Sequence, residues 1–173
     1  MGFERAFEFV LAREGGFVDD PDDRGGRTNF GVTQGTYDAF RTARGWAAED
    51  VKDISEAEVR TIYFEGYYSK GKADLMVWPL CLVHFDACVN HGVDRANRLL
   101  QAAIGGISVD GVIGSQTLGE LRRIKEGLGA HSLCHDYIWK RLHLYRLLSK
   151  KPGQLKFLPN WLTRMEHLWA EIK

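Results

Sequence analysis

The sequence predicts a mostly α single domain with a small loop or β-hairpin after its first helix. Apolar residues recur at the helical period along most of the chain, and capping residues and glycines punctuate those stretches. An Asp/Gly-rich segment from Gly15 to Gly31 separates the first helix from the rest. At 173 residues, with 45% hydrophobic composition, the chain suits one compact domain (1–173) with a substantial core, and disorder is excluded.

Phe3, Ala6, Phe7, Val10 and Leu11 fall at i, i+3, i+4, i+7 and i+8, one apolar stripe of a first helix. Glu14 then lies at or next to the last helical turn, and Gly15-Gly16 supplies the stop. Thr33 can cap a helix through about Ala43 that ends at Gly45. Ser55-Glu56-Ala57-Glu58 is a capping box opening a helix that carries Tyr63, Phe64, Tyr67 and Tyr68. Aromatics at that spacing pack a core, and one or two of them, Tyr63 foremost, can also line a groove.

Pro79 suits the first turn of a strongly apolar helix through His91, and Asp94 can cap the next, through about Ile104. Asp86 and Asn90 are four apart and share a face of that apolar helix. Polar groups there need partners, so they form either a structural hydrogen-bond network or the far wall of a cleft. Asp110-Gly111-Val112-Ile113-Gly114 reads as a tight turn into a helix beginning near Ser115 or Gln116. Further helices are expected over about 130–149 and 159–172, separated by Lys151-Pro152-Gly153. The last carries an apolar stripe of Trp161, Leu162, Met165, Leu168 and Trp169 that closes the core.

The zero net charge hides an asymmetry, −7 over residues 1–120 and +7 over residues 121–173. The basic third is either a solvated helix face or a means of holding anionic material. No apolar run reaches membrane-spanning length, and the acid-containing first helix lacks the pattern of a secretory signal. Cys81, Cys88 and Cys134 are odd in number and lack metal-type pairing, which fits a chain made in a reducing cytoplasm. His131 and His135 flank Cys134, but no glutamate follows His131 as H-E-x-x-H requires, so they read as surface or core histidines. No P-loop, dinucleotide-type glycine pattern or G-x-S-x-G elbow is present, and no metal, cofactor or nucleic-acid partner is expected.

Glu14 is the leading candidate for chemistry. The negative end of the helix dipole and the nearby Asp19, Asp20, Asp22 and Asp23 both disfavour a charged carboxylate there, which suits a general acid. Ordinary helix capping and a solvated turn would produce the same residues. A calcium loop starting at Asp20 and Asp22 fails at its third ligand, which would be Arg24, and at its twelfth, Gly31.

Glu14-Gly15-Gly16, Asp23-Arg24-Gly25-Gly26-Arg27-Thr28 and Gly31-Val32-Thr33 match, position by position, a pattern of E-G-G, an acidic turn, D-x-G-G-x-T and G-[IV]-T. Downstream, Phe85-Asp86, Asn90, Gly92, Leu100-Gln101 and Asp110 to Gly114 with Thr117 form a second motif. In both the chain resembles glycoside hydrolase family 108, N-acetylmuramidases with a lysozyme-like helical fold and a predicted peptidoglycan-binding region. Residues 1–78 resemble the catalytic region and 79–173 the binding region packed against it. Arg24 stands where the family often has proline.

The resemblance implies a peptidoglycan hydrolase that cleaves the β-1,4 bond between N-acetylmuramic acid and N-acetylglucosamine, with Glu14 as general acid. Asp23 then becomes a second carboxylate that stabilises positive charge, and Thr28 a hydroxyl that positions water. Asp86, Asn90 and Tyr63 become candidate substrate-binding residues, and peptidoglycan glycan strands the partner, with the basic third in weak contact with the anionic envelope. A monomer made in the cytoplasm and carried to the periplasm by a holin or another export route, for host lysis by a phage, completes the expectation. A lytic transglycosylase and a non-catalytic peptidoglycan-binding or secretion-accessory protein are the alternatives. All of this requires a Glu14 carboxyl that faces a groove and is not tied up in an ion pair with arginine.

Overall fold

Helix α1 (Gly2–Leu11) forms where the apolar stripe predicts it, with Phe3, Ala6, Phe7, Phe9 and Val10 buried. The computed structural model describes residues 2–19, 26–125 and 129–173. Beyond Leu11 the chain tightens into turns in which Arg13 N–H donates to Val10 O at 2.9 Å and Glu14 N–H to Leu11 O at 3.1 Å. Glu14 therefore sits one turn past the regular helix.

The expected hairpin is small. Strands β1 (Thr28–Asn29) and β2 (Val32–Thr33) pair antiparallel, with Thr28 opposite Thr33 and Asn29 opposite Val32. Their two-residue connection has Phe30 at φ 49° and Gly31 at φ 73°, the pair of left-handed residues that a type I′ hairpin needs. Val18 pairs with Thr28 on the outer edge, which ties the segment after Glu14 back to the hairpin. Asn29 fastens the sheet to the next loop by donating to Val51 O and Lys52 O at 3.2 and 3.0 Å.

Helix α2 (Gln34–Thr42) starts under a Thr33 cap, and α3 (Glu56–Tyr63) starts under the complete Ser55–Glu58 capping box. At its end α3 widens into a π-helical stretch, Phe64–Ser69. Helix α4 (Leu80–His91) is the axis of the fold: every residue from Leu80 to Cys88 is buried, as an all-round apolar helix requires. It packs against α1, α5 (Val93–Ile104) and α7 (Gly129–Ser149).

Helix α6 (Ser115–Lys125) follows the Asp110–Gly114 turn, and α8 (Leu158–Glu171) lies along α7, with Arg5 of α1 paired to Glu171 at 2.7 Å. One hydrophobic cluster runs from Phe3 to Ile172. Two local expectations are corrected. Helix α5 is preceded by Gly92 at φ 78° without a side-chain cap, because Asp94 lies inside the helix and takes Arg98 instead. On α8 only Met165 and Leu168 of the apolar stripe are buried, and Leu162 remains 41% exposed. The three cysteines are free and buried, and His135 stacks on Trp169 with ring centroids 4.4 Å apart.

Candidate active site

Three elements converge on Glu14: the end of α1, the hairpin turn and α8. Arg164 of α8 donates through Nη1 to Glu14 Oε1 at 3.0 Å. The other oxygen faces the Phe30–Gly31 turn. A methyl group at Gly31 would lie 2.9 Å from Glu14 Oε2 and 2.5 Å from the Tyr63 hydroxyl. Glycine is thus demanded twice, by its positive φ and by the side chains pressed against it. Tyr63 donates its hydroxyl to Phe30 O at 2.9 Å and so holds the turn beside the carboxyl. Glu14 keeps 20% of its side-chain exposure, which leaves it open to a ligand.

The requirement that Glu14 be free of arginine is not met, and the electrostatic setting read from the sequence needs correction. The reading along the chain weighed Glu14 against its acidic neighbours, whereas the fold delivers a cation from 150 residues away. That cation is shared. Arg164 also donates through Nε to Asp86 Oδ1 at 2.8 Å, and Arg141 of α7 approaches Asp86 Oδ2 at 2.6 Å. The result is one ionic chain, Arg141–Asp86–Arg164–Glu14, in which Arg164 divides its charge between two carboxylates.

Asp86 and Arg141 are fully buried. Burial alone would push the Asp86 carboxyl up, but the two guanidiniums outweigh it and hold the group below the ordinary carboxylate range. With no exposed surface and both oxygens engaged by arginines, Asp86 is a structural link and not the wall of a cleft. Asn90 is exposed and donates to the Asp86 backbone carbonyl at 2.7 Å. Tyr63 is also corrected: its ring is 1% exposed and packs against Phe7 and Phe85, so it belongs to the core and reaches the site only through its hydroxyl.

Thr28 lies in β1, its backbone N–H and carbonyl both bonded to Val18, and it stands opposite Thr33 across the hairpin. Asp23, with Asp20, Asp22, Arg24 and Gly25, lies outside the described residues. Arg141 and Arg164 were missed by the sequence reading, although a signal existed. Arg141 is spaced by four from Tyr137 and Tyr145, and Arg164 by four from Leu168, so both are cations on apolar helix faces that call for a buried anion.

A surface groove of about 580 Å³ runs beside Tyr67, lined also by Ile62, Gly66, Lys70, Asn97 and Gly111. Tyr67 stacks obliquely on Tyr63 at 5.6 Å, and burial followed by the Glu14 charge pushes its phenol up, which places it in the electrostatic reach of the acid. The far bank is the Asp110–Gly114 turn. Gln101 accepts from Gly111 N–H and donates to Asp110 Oδ1, both at 2.8 Å, and Asn97 donates to Gly111 O at 2.8 Å. Asp110 also accepts from Val112 N–H at 2.8 Å, and Gly111 has φ 82°. Local turn geometry accounts for this motif.

The family model described as "Glycosyl hydrolase 108" matches residues 7–92, which contain Glu14, the hairpin and Asp86. The chain belongs to glycosyl hydrolase family 108. It is therefore a glycoside hydrolase. A second model, "Predicted Peptidoglycan domain", matches residues 95–166 and makes the coarse activity that of a peptidoglycan hydrolase. Among solved structures the family 108 chain is similar to one titled "Structure of Brucella abortus SagA", with a TM-score of 0.79 and 28% identity over 98% of this chain and 92% of that one. No curated protein matches in sequence. The ionic chain joins the two matched regions, because Glu14 and Asp86 come from the first and Arg141 and Arg164 from the second.

Proposed function

We propose that the protein is an N-acetylmuramidase that cleaves the β-1,4 bond between N-acetylmuramic acid and N-acetylglucosamine, with Glu14 as general acid. The seating of Glu14 is the observation that carries this reading. Arg164 fixes the carboxyl through Oε1, Oε2 faces a glycine turn, and the side chain keeps a fifth of its exposure. Glycoside cleavage needs a proton delivered to the leaving oxygen and negative charge or activated water at the sugar carbon. Oε2 is the atom assigned to the proton. Because Arg164 also serves Asp86, Glu14 does not face a whole positive charge of its own.

Asp23 is assigned the role of second carboxylate and Thr28 that of positioning water. The glycan strand is assigned to the groove at Tyr67. The setting we infer is the bacterial cell wall, reached from the cytoplasm through a holin or another export route, in host-cell lysis for a phage. Digestion of purified peptidoglycan followed by mass spectrometry tests the reaction. Reducing muramic acid ends are expected, and anhydro-muramic ends would instead establish a lytic transglycosylase. Glu14→Gln is expected to remove product formation, and a variant as active as the parent would take Glu14 out of the mechanism.

A further inference from the structure

Arg164 has a second neighbourhood. Together with Arg13, Asn90, Asn160, Thr163 and His167 it lines a recess of about 350 Å³, walled on its apolar side by Trp161. Two guanidiniums, one imidazole and three neutral hydrogen-bonding side chains border this space, and no carboxylate is among the residues lining it. Arg164 Nη2 and Arg13 Nε are buried and have no hydrogen-bond partner among the described residues. Such orphan donors are uncommon in folded proteins.

Arg13 is held in place by its own helix end, with Nη1 donating to Phe9 O at 2.5 Å and the guanidinium lying 3.5 Å over the Phe9 ring. Burial, and next the charge of Arg164, push Arg13 below its ordinary range and outweigh the opposing pull of Asp86 and Glu171, so the two cations repel each other across the recess. Planar guanidinium donors suit a carboxylate, which accepts two parallel hydrogen bonds. Arg164 binds Glu14 through Nη1 and Asp86 through Nε, which leaves Nη2 for the recess, so an anion held here sits one arginine away from the acid.

We propose that this recess binds a free carboxylate of the peptide stem of peptidoglycan and makes the enzyme selective for glycan that still carries its stems. The inference rests on the peptidoglycan-hydrolase reading above. The stem hangs from the muramic acid next to the bond to be cleaved, so its carboxylates lie near the acid when the strand is bound. Asn90, Asn160 and Thr163 supply neutral contacts to the amides that flank such a carboxylate. Trp161 supplies an apolar face for the peptide's carbon atoms.

The test uses the full chain and a synthetic stem tetrapeptide, titrated calorimetrically with its carboxylates free or amidated. The free peptide is expected to bind at least about tenfold more tightly than the amidated one, the scale of a lost charge-assisted hydrogen-bond pair. Asn160→Asp, at an exposed position, adds a negative charge to the rim and is expected to weaken the free peptide by at least about tenfold. Arg13→Gln is expected to act in the same direction. Equal binding of the two peptides, binding of neither, or an Asn160→Asp protein that binds like the parent would overturn the proposal. Cleavage of intact, stem-bearing peptidoglycan is measured separately. Its absence would count against the hydrolase reading, while the titration still decides the recess.

Discussion

Glu14 and Asp86 share one arginine and differ in almost everything else. Asp86 is fully buried, bound on both oxygens by two guanidiniums, and anchored on the central helix. Glu14 is one fifth exposed, bound on one oxygen, and set at a helix end beside a glycine turn. The same ion-pair chemistry therefore serves two ends. Where guanidiniums flank both oxygens and the side chain is fully buried, the carboxylate links helices; where only one oxygen is bound and the side chain keeps some exposure, it is placed to meet a ligand.

The comparison is broken most sharply by two substitutions with opposite signatures. Glu14→Gln is expected to lower turnover of peptidoglycan by about 10²–10⁴-fold, the usual contribution of a general acid, while stability changes by less than about 1 kcal/mol. Asp86→Ala leaves Arg141 buried without its anion and is expected to cost about 3–5 kcal/mol of stability in denaturant titrations. If Asp86→Ala unfolded no more easily than the parent, the buried link would not be structural.

Acid sharpens the comparison next. Burial pushes His84 down to about 4, and burial followed by the charge of Arg141 pushes His91 down to about 3. An unfolded histidine binds its proton near pH 6.5, so between about pH 6.5 and 4 the unfolded chain takes up protons that the folded chain refuses. Stability is expected to fall through that window as pH drops, by about 3 kcal/mol for His84. Asp86 works in a lower window: its contribution is present above the ordinary carboxylate range and is lost only as pH falls through its depressed folded value. Urea midpoints at pH 7, 5.5 and 4.5 check this, and a flat profile would contradict the histidine assignment.

The smallest effect belongs to the hydroxyl that holds the hairpin. Tyr63→Phe removes the bond to Phe30 O and is expected to cost about 1 kcal/mol, with a few-fold loss of activity as the turn beside Glu14 loosens. A turnover equal to that of the parent would free the turn from any part in positioning the acid.

Much of this architecture was legible along the chain because local rules govern it. The α1 stripe, the Thr33 cap, the Ser55–Glu58 box and the unbroken apolar run of α4 each specify an element through neighbours within a turn or two. Glu14 was legible as a candidate for the same reason, since its position depends only on where α1 stops. Its cation was not. The Arg164 contact exists because α8 docks back toward the end of α1, and no periodicity within either helix specifies that docking. The roles of Asp86 and Tyr63 were ambiguous for a related cause. A polar group on an apolar helix states that a partner is needed but not where it comes from, and here the partners lie on α7 and α8.

Pairing residue 14 with residue 164 also sets a schedule. During synthesis the acid and its hairpin leave the ribosome long before α8 is made, and a nascent chain that lacks α8 has no guanidinium to orient Glu14. The constellation closes only when nearly all of the described chain has emerged, so the ionic chain is tied to the docking of α8 and not to the appearance of Glu14.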